Sequence, residues 1–87
     1  MKVENMTSPN GNRVANQFII RDGAARTFQS YKSTIAIIHS DGSVSLDEDK
    51  WNYSRTTSKY RNIFLGETTK ETQKKIDSGE YNLYDLN

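Results

Sequence analysis

Apolar and polar residues alternate in short runs along the first half of the chain, a period-two pattern that is typical of half-buried β-strands. Four such runs follow one another, at Val14–Ile20, Thr27–Tyr31, Ser33–Ser40 and Ser43–Asp47. The third run, STIAIIHS, is the most apolar and is rich in β-branched residues. That composition indicates a central strand, although the length of the run also fits a short buried helix.

Turn signals separate these runs. Asp22-Gly23 and Asp41-Gly42 each stand between two strand patterns, and Asp-Gly favours the positive φ angles of a tight hairpin. The only proline lies in SPNGN (Ser8–Asn12), a loop sequence ahead of the first run. The first half of the chain therefore predicts an antiparallel meander.

The pattern becomes helical in the second half. Tyr60, Ile63 and Phe64 are spaced i, i+3, i+4, which predicts the buried stripe of a helix over Ser58–Leu65. Several Ser and Thr residues upstream can cap its N-terminus, and Gly66 is a suitable end.

A second, mostly polar helix is predicted after the first. Thr68 and Glu71 match a capping box, and the helical run ends at Gly79. The last residues, EYNLYDLN, alternate again and predict either an edge strand or a docked tail. We therefore expect a single α+β domain over residues 1–87, with an antiparallel sheet of four or five strands followed by one or two short helices.

Composition narrows the classes of function. Only 33% of the 87 residues are hydrophobic, which leaves little apolar material for a deep pocket beside a core. The chain has no cysteine, so it can form neither disulfides nor thiolate metal sites. No apolar run is long enough to span a membrane, and the N-terminal residues lack the apolar stretch of a secretory signal. We expect a cytoplasmic protein that does not contact a membrane.

No catalytic or metal-binding set can be assembled from the sequence. His39 is the only histidine and ends an apolar run, where a structural role is favoured over a catalytic one. The segment DGSVSLDED resembles a calcium loop in its oxygen spacing but lacks the glycine and the terminal glutamate of such loops. The five glycines are dispersed, so no phosphate-binding loop is present. We expect a protein that is not an enzyme and that binds no cofactor and no metal.

Charge is unevenly distributed, although the net charge is only +1. Residues 50–75 contain seven basic residues and two acids, whereas residues 41–49 contain four acids and no base. The simplest interpretation is a solvated surface of mixed charge. Because aromatic residues interleave with the basic ones, the segment from Trp51 to Thr72 is also the candidate binding surface.

Two hypotheses fit this segment. Tyr, Trp and Arg contribute most to protein interfaces, which favours docking on another protein, with the acidic turn as a second contact that imitates phosphate. The residues predicted for this role are Trp51, Tyr53, Arg55, Lys59, Arg61, Asp47 and Asp49. The alternative is direct binding of DNA or RNA through Arg55, Lys59, Arg61, Lys70 and Lys74.

Two observations limit these hypotheses, and a third hypothesis stands beside them. The low net charge argues against nucleic acid, because domains that bind it are usually strongly basic. Trp51 and Tyr60 are expected in the core of an apolar-poor chain, which would leave the basic residues without aromatic rings for stacking. A structural piece that forms homo-oligomers through a sheet edge is a third possibility.

Four stretches of the sequence carry a resemblance: MTSPNGNRVANQFII, FQSYKSTIAII, WNYSRTTSKYRNIFLGETTKETQKKI and GEYNLYDLN. Together they resemble a family of short uncharacterised proteins encoded by phages, prophages and mobile elements of Gram-positive and gut bacteria. The resemblance implies a genomic context and carries over no known site. Small phage proteins often act on host machinery, so it implies a partner in the host, such as a defence nuclease or its nucleic-acid complex, and an anti-CRISPR-like role.

Overall fold

The structure is a computed structural model that describes all residues from 1 to 87. Its six-stranded sheet has the order β1-β2-β3-β4-β5-β6. The first five strands form an antiparallel meander, and β6 pairs in parallel with β5. The elements are β1 (Lys2–Thr7), β2 (Arg13–Asp22), β3 (Ala25–Ser30), β4 (Ser33–Ile38), β5 (Val44–Asp47), α1 (Arg55–Leu65), α2 (Thr69–Asp77) and β6 (Tyr81–Tyr84).

The α+β class is confirmed, but the sheet has six strands rather than four or five. The alternation pattern does not predict β1, because its two apolar residues, Val3 and Met6, are three positions apart. Residues three positions apart lie on opposite faces of a strand, so Val3 is exposed while Met6 is buried. The other additional strand is β6. The alternating residues at the end of the chain predict either an edge strand or a docked tail, and β6 is that edge strand.

Both Asp-Gly signals mark hairpins. Gly23, with a φ of 61°, begins the connection between β2 and β3, and Gly42, with a φ of 88°, lies in the connection between β4 and β5. A side chain with a Cβ is strained at such angles, which explains the choice of glycine. The SPNGN loop joins β1 to β2, and the backbone N–H of Gly11 donates to the carbonyl of Ser8 over 2.8 Å.

The helices carry the capping groups that the sequence predicts. The side chain of Ser54 accepts a hydrogen bond from the N–H of Thr57, so α1 begins about one turn before the predicted start at Ser58. In α2, Thr68 and Glu71 exchange the two hydrogen bonds of a capping box. Neither helix has the length and apolar character needed to cross a membrane.

The core lies between one face of the sheet and the two helices. The rings of Phe28 on β3 and Phe64 on α1 are 5.8 Å apart at their centroids. Tyr81 brings β6 into the same core beneath α2. The buried apolar residues are Met6, Phe28, Ile35, Ala36, Val44, Leu46, Tyr60, Phe64 and Tyr81.

The buried stripe of α1 differs from the predicted one in one position. Tyr60 and Phe64 are buried as expected, but Ile63 is 47% exposed and the prediction that it belongs to the core is wrong. Arg61 takes its place and is fully buried. Positions 61 and 63 both lie beside Tyr60 and Phe64 on the helix. A prediction from hydrophobicity alone therefore assigns isoleucine, not arginine, to the buried face. The arginine is buried because the surrounding structure supplies acceptors for its guanidinium.

Candidate binding groove

An open groove of about 740 Å³ runs along the outer side of α1. Its walls come from the loop ahead of α1, from one face of α1, from the first residue of α2 and from Pro9 of the loop that joins β1 to β2. We call it the α1 groove. The lining residues are Pro9, Asn52, Tyr53, Ser54, Arg55, Ser58, Lys59, Asn62, Ile63 and Thr69.

The α1 groove follows from the helical repeat. Arg55, Ser58, Lys59, Asn62 and Ile63 recur at i, i+3, i+4, i+7 and i+8, so they share one face of the helix. The buried stripe that contains Tyr60 and Phe64 lies on the face toward the sheet. The segment that the sequence singles out as a candidate binding surface thus lines the groove.

Arg61 lies beneath the groove and holds several of its lining residues. One guanidinium nitrogen, Nη2, donates to Asn62 Oδ1 over 2.7 Å and to Thr69 Oγ1 over 2.8 Å. The other, Nη1, donates to the carbonyl of Trp51 and to Asn52 Oδ1 at 3.3 Å. The guanidinium therefore ties the loop, α1 and the start of α2 together.

No carboxylate neutralises this buried cation. Every hydrogen-bond acceptor of Arg61 is an uncharged oxygen. Burial lowers the pKa of the guanidinium, and the negative charge of Glu67 partly opposes that effect. An arginine stays protonated at any physiological pH, so a positive charge remains in a poorly solvated position behind the groove wall.

The two exposed basic residues of the groove add to this charge. Arg55 and Lys59 are exposed on α1, one helical turn apart, and neither pairs with a carboxylate. Tyr53 and Ile63 are 48% and 47% exposed and supply the apolar surface of the groove. The α1 groove therefore combines positive potential, amide and hydroxyl hydrogen-bonding groups, and two exposed apolar side chains.

Trp51 does not line the α1 groove. It is half-buried and packs against the core. The guanidinium of Arg61 lies over its ring, 5.0 Å from the centroid, which is a cation–π contact. Among the aromatic residues that interleave with the basic ones in this segment, Trp51 is half-buried, Tyr60 is buried and Tyr53 is exposed.

Two residues of the predicted binding set are buried and cannot reach a partner. Arg61 is fully buried, and Asp47 is 2% exposed. The carboxylate of Asp47 accepts hydrogen bonds from the backbone N–H groups of Asp49, Lys50 and Leu86. Burial raises the pKa of Asp47, but these hydrogen bonds outweigh it and leave the pKa below its usual value. Both residues therefore have structural roles, and the predicted contact at Asp47 is corrected.

The other predicted residues are accessible. Asp49 is exposed in the turn after β5. Lys70 and Lys74 are exposed on α2, four residues apart and so on one face of that helix. The structure therefore brings Tyr53, Arg55 and Lys59 together in one groove, and leaves the exposed lysines of α2 and the acidic turn outside its lining.

A polar cluster fastens α2 to β6. Glu67 accepts hydrogen bonds from Lys75 Nζ at 2.8 Å, from the hydroxyl of Tyr81 at 2.7 Å and from the hydroxyl of Thr72. Burial raises the pKa of Glu67, but the three donors outweigh this effect and hold it below its usual value. Burial, together with the neighbouring Glu67 carboxylate, raises the pKa of Tyr81 to about 12.

A smaller cleft of about 380 Å³ lies beside the β4–β5 connection. There Nε2 of His39 and the hydroxyl of Ser45 are 2.8 Å apart. The nearby carboxylate of Asp41 accepts hydrogen bonds from the N–H and the hydroxyl of Ser43. The cleft thus contains a serine–histidine pair, and the aspartate next to it is engaged by Ser43.

Residues 1–80 match the model of a family of unknown function, DUF8033. The chain belongs to this family. The match covers the meander, both helices and every residue that lines the α1 groove. It agrees with the expectation of an uncharacterised family. No match was found among curated proteins or among solved structures.

Proposed function

We propose that this protein is a non-enzymatic phage accessory protein that binds a host protein through the α1 groove and blocks it. The observation that carries the proposal is the buried, unneutralised Arg61 behind a wall that also presents Arg55 and Lys59. A groove with this potential favours an acidic segment of a partner, and the exposed Tyr53 and Ile63 favour one that also carries apolar side chains.

The proposed target is a host defence nuclease. The phage context comes from the sequence resemblance, and small phage proteins often act on host defences. Nuclease centres commonly hold their metal ions with carboxylates, so they present acidic surface to which a basic groove is complementary. The exposed Asp49 supplies a separate acidic contact that can occupy a place meant for phosphate.

Affinity capture from host cells, with mass spectrometry, tests the proposal. The double substitution Arg55→Glu/Lys59→Glu reverses the charge of the groove without touching a buried residue. The matched control, Lys2→Glu/Lys32→Glu, makes the same net change at exposed positions away from the groove. We expect a stoichiometric partner that is retained by the control and lost with the groove variant. Recovery of no such partner, or equal recovery with both variants, would contradict the proposal.

Direct binding of DNA or RNA is the second candidate. One observation favours it: Arg55, Lys59, Lys70 and Lys74 are all exposed on the two consecutive helices, and none pairs with a carboxylate. Proteins that bind single strands usually stack several bases on aromatic side chains, whereas Tyr53 is the one exposed aromatic side chain in the α1 groove, which argues against this candidate.

A salt titration separates the two candidates. If all four cations contact phosphates, log Kd should change with log salt with a slope of roughly 3–4, because each phosphate contact contributes about 0.9. Replacing the four by alanine should then abolish the gel shift. Absence of a gel shift at low salt, or a flat salt dependence, would eliminate this candidate and leave the protein partner.

A further inference from the structure

The two helices are fastened to the domain in different ways. α1 places four residues in the interior, among them the rings of Tyr60 and Phe64. α2 buries only the polar Thr72, and its one large apolar residue, Ile76, is half-buried. Because the burial of apolar surface is the main stabilising term in a small domain, α2 gains much less from its contact with the rest of the fold than α1 does.

Hydrogen bonds to two charged groups hold α2 in place. At its first residue, Thr69 Oγ1 accepts a hydrogen bond from Arg61 Nη2. Farther along, the Glu67 carboxylate accepts from Lys75 Nζ of α2 and from the hydroxyl of Tyr81, which reaches it from β6. The side chain of Lys75 is 36% exposed, and an ion pair that is partly open to water contributes little stability. The hydroxyl of Tyr81 is therefore the main polar link from this cluster to the sheet.

The connections at both ends of α2 allow it to move as a unit. Residues 66–68 lead from α1 into α2, and residues 78–80 lead from α2 into β6. Each connection contains a glycine with a left-handed φ, which is 71° at Gly66 and 82° at Gly79. Hinges are residues at the ends of elements that absorb changes in φ and ψ, and glycine absorbs the widest range of them. A helix of nine residues is also too short to be stable alone in water, so α2 is expected to lose its helical hydrogen bonds once it leaves the domain.

We propose that α2 is a movable wall of the α1 groove, which undocks as a unit while α1 and the sheet stay folded. Undocking carries Thr69, the groove residue that α2 supplies, away from Arg61 and removes one wall of the groove. The groove therefore alternates between a complete and an incomplete form, and a ligand that needs the complete form binds only while α2 is docked. This consequence for binding rests on the proposed function of the groove, whereas the undocking itself does not.

Amide hydrogen exchange on the unaltered protein tests the undocking. The amides of residues 72–77 in α2 should exchange at one common rate, at least about 100-fold faster than the amides of β3 and β4, because undocking needs only part of the free energy of global unfolding. Exchange of α2 at the same rate as β3 and β4 would overturn the proposal, since α2 would then open only when the whole domain unfolds. Rates that rise steadily toward the end of α2 would also overturn it, since they indicate fraying rather than undocking as a unit.

The substitution Ile35→Val tests whether the sheet stays folded while α2 is undocked. Ile35 is fully buried on β4, and the loss of one buried methylene group should speed the globally limited exchange of β3 and β4 about fivefold. If the core is intact in the undocked form, that form is destabilised as much as the native one, and exchange in α2 should not change. An equal acceleration of α2 would overturn the proposal.

The substitution Tyr81→Phe tests whether the link to Glu67 breaks when α2 undocks. It removes the donated hydroxyl and keeps the ring in the core, so exchange in α2 should rise about tenfold. The matched control, Tyr84→Phe, removes the hydroxyl of a ring that is 52% exposed on the same strand and should leave exchange in α2 unchanged. Equal rates in the two folded variants would overturn the proposed attachment.

The Nε–H group of Arg61 reports whether the motion reaches the groove. It is buried and donates to no protein atom, so its proton exchanges only when the guanidinium meets water. In nuclear magnetic resonance this proton should exchange at the common rate of α2 and should accelerate with it in Tyr81→Phe. An Nε–H proton that stays protected while α2 exchanges would overturn the role of α2 as a groove wall. These rates are measured without a partner, so they and the affinity capture can fail separately.

Discussion

The substitution Arg61→Met tests whether the buried guanidinium holds the α1 groove together. It keeps an unbranched apolar side chain of similar length and removes the positive charge with its hydrogen bonds. The chain is expected to lose stability, because the charged donors of Arg61 connect the loop at Trp51, α1 and the first turn of α2.

The expected loss is about 2–4 kcal/mol in the free energy of unfolding. Hydrogen bonds from a charged donor contribute about 1.5–3 kcal/mol each, and Arg61 makes them to Trp51, Asn62 and Thr69. The cation–π contact with Trp51 adds about 1–2 kcal/mol in a desolvated position. The methionine variant no longer buries a charge, and the several kcal/mol that this burial costs in the wild type offset much of the summed loss from the hydrogen bonds and the cation–π contact.

Urea denaturation followed by the emission of Trp51, the only tryptophan, measures this loss. In thermal unfolding it corresponds to a fall in Tm of about 10–30 °C for a domain of this size. The matched control is Arg55→Met, the same change at an exposed residue of α1, which should alter stability by less than about 0.5 kcal/mol. If Arg61→Met is as stable as this control, the guanidinium does not hold the walls of the α1 groove together, and the role given to its buried charge in the groove is refuted.

Three further substitutions probe the cluster at α2, the helix end and the acidic turn. The pKa of Glu67 is lower in the folded chain than its ordinary value of 4.5, so ionised Glu67 stabilises the fold above pH 4.5, and this stability is lost as the pH falls through the folded value. In Glu67→Gln, stability measured by circular dichroism should therefore depend less on pH below about 4.5. An unchanged pH profile would contradict this role. Gly66→Ala should cost about 1–2 kcal/mol in urea denaturation because φ is 71° there, with Gly66→Asn closer to wild type. Asp47→Asn turns an amide donor toward backbone N–H groups and should cost about 1–3 kcal/mol, and a thermal scan that shows no fall in Tm would refute the capping role.

Local signals explain why much of the fold is predictable from the sequence. The Asp-Gly turns, the capping box at Thr68 and the helix end at Gly66 each depend on the chemistry of a few neighbouring residues. β1 is not predicted for a physical reason: Met6 is the only large apolar residue on its buried side and Val3 lies on its exposed side, so the strand shows no apolar alternation. The parallel pairing of β6 with β5 is also beyond local sequence, because it depends on how the helices return the chain to the sheet.

The candidate site is predictable as a segment but not residue by residue. Tyr53, Arg55 and Lys59 do line one groove. Arg61 and Asp47 look like surface charges in the sequence, yet both are buried because distant backbone and side-chain groups satisfy them. Arg61 falls at i+4 from Thr57 and next to Tyr60, and this helical register is the one signal that could have placed it on the buried stripe.

The parallel pairing of β5 and β6 has a consequence for how the chain reaches its native state. The hairpins of the meander join neighbouring segments, whereas Val44 pairs with Tyr81 across both helices. Closing a loop of that length costs entropy before any contact repays it, so this pairing is expected to come late in folding. Until then the hydrogen-bonding edge of β5 stays open, and a newly made chain is most vulnerable to aberrant strand association during that interval.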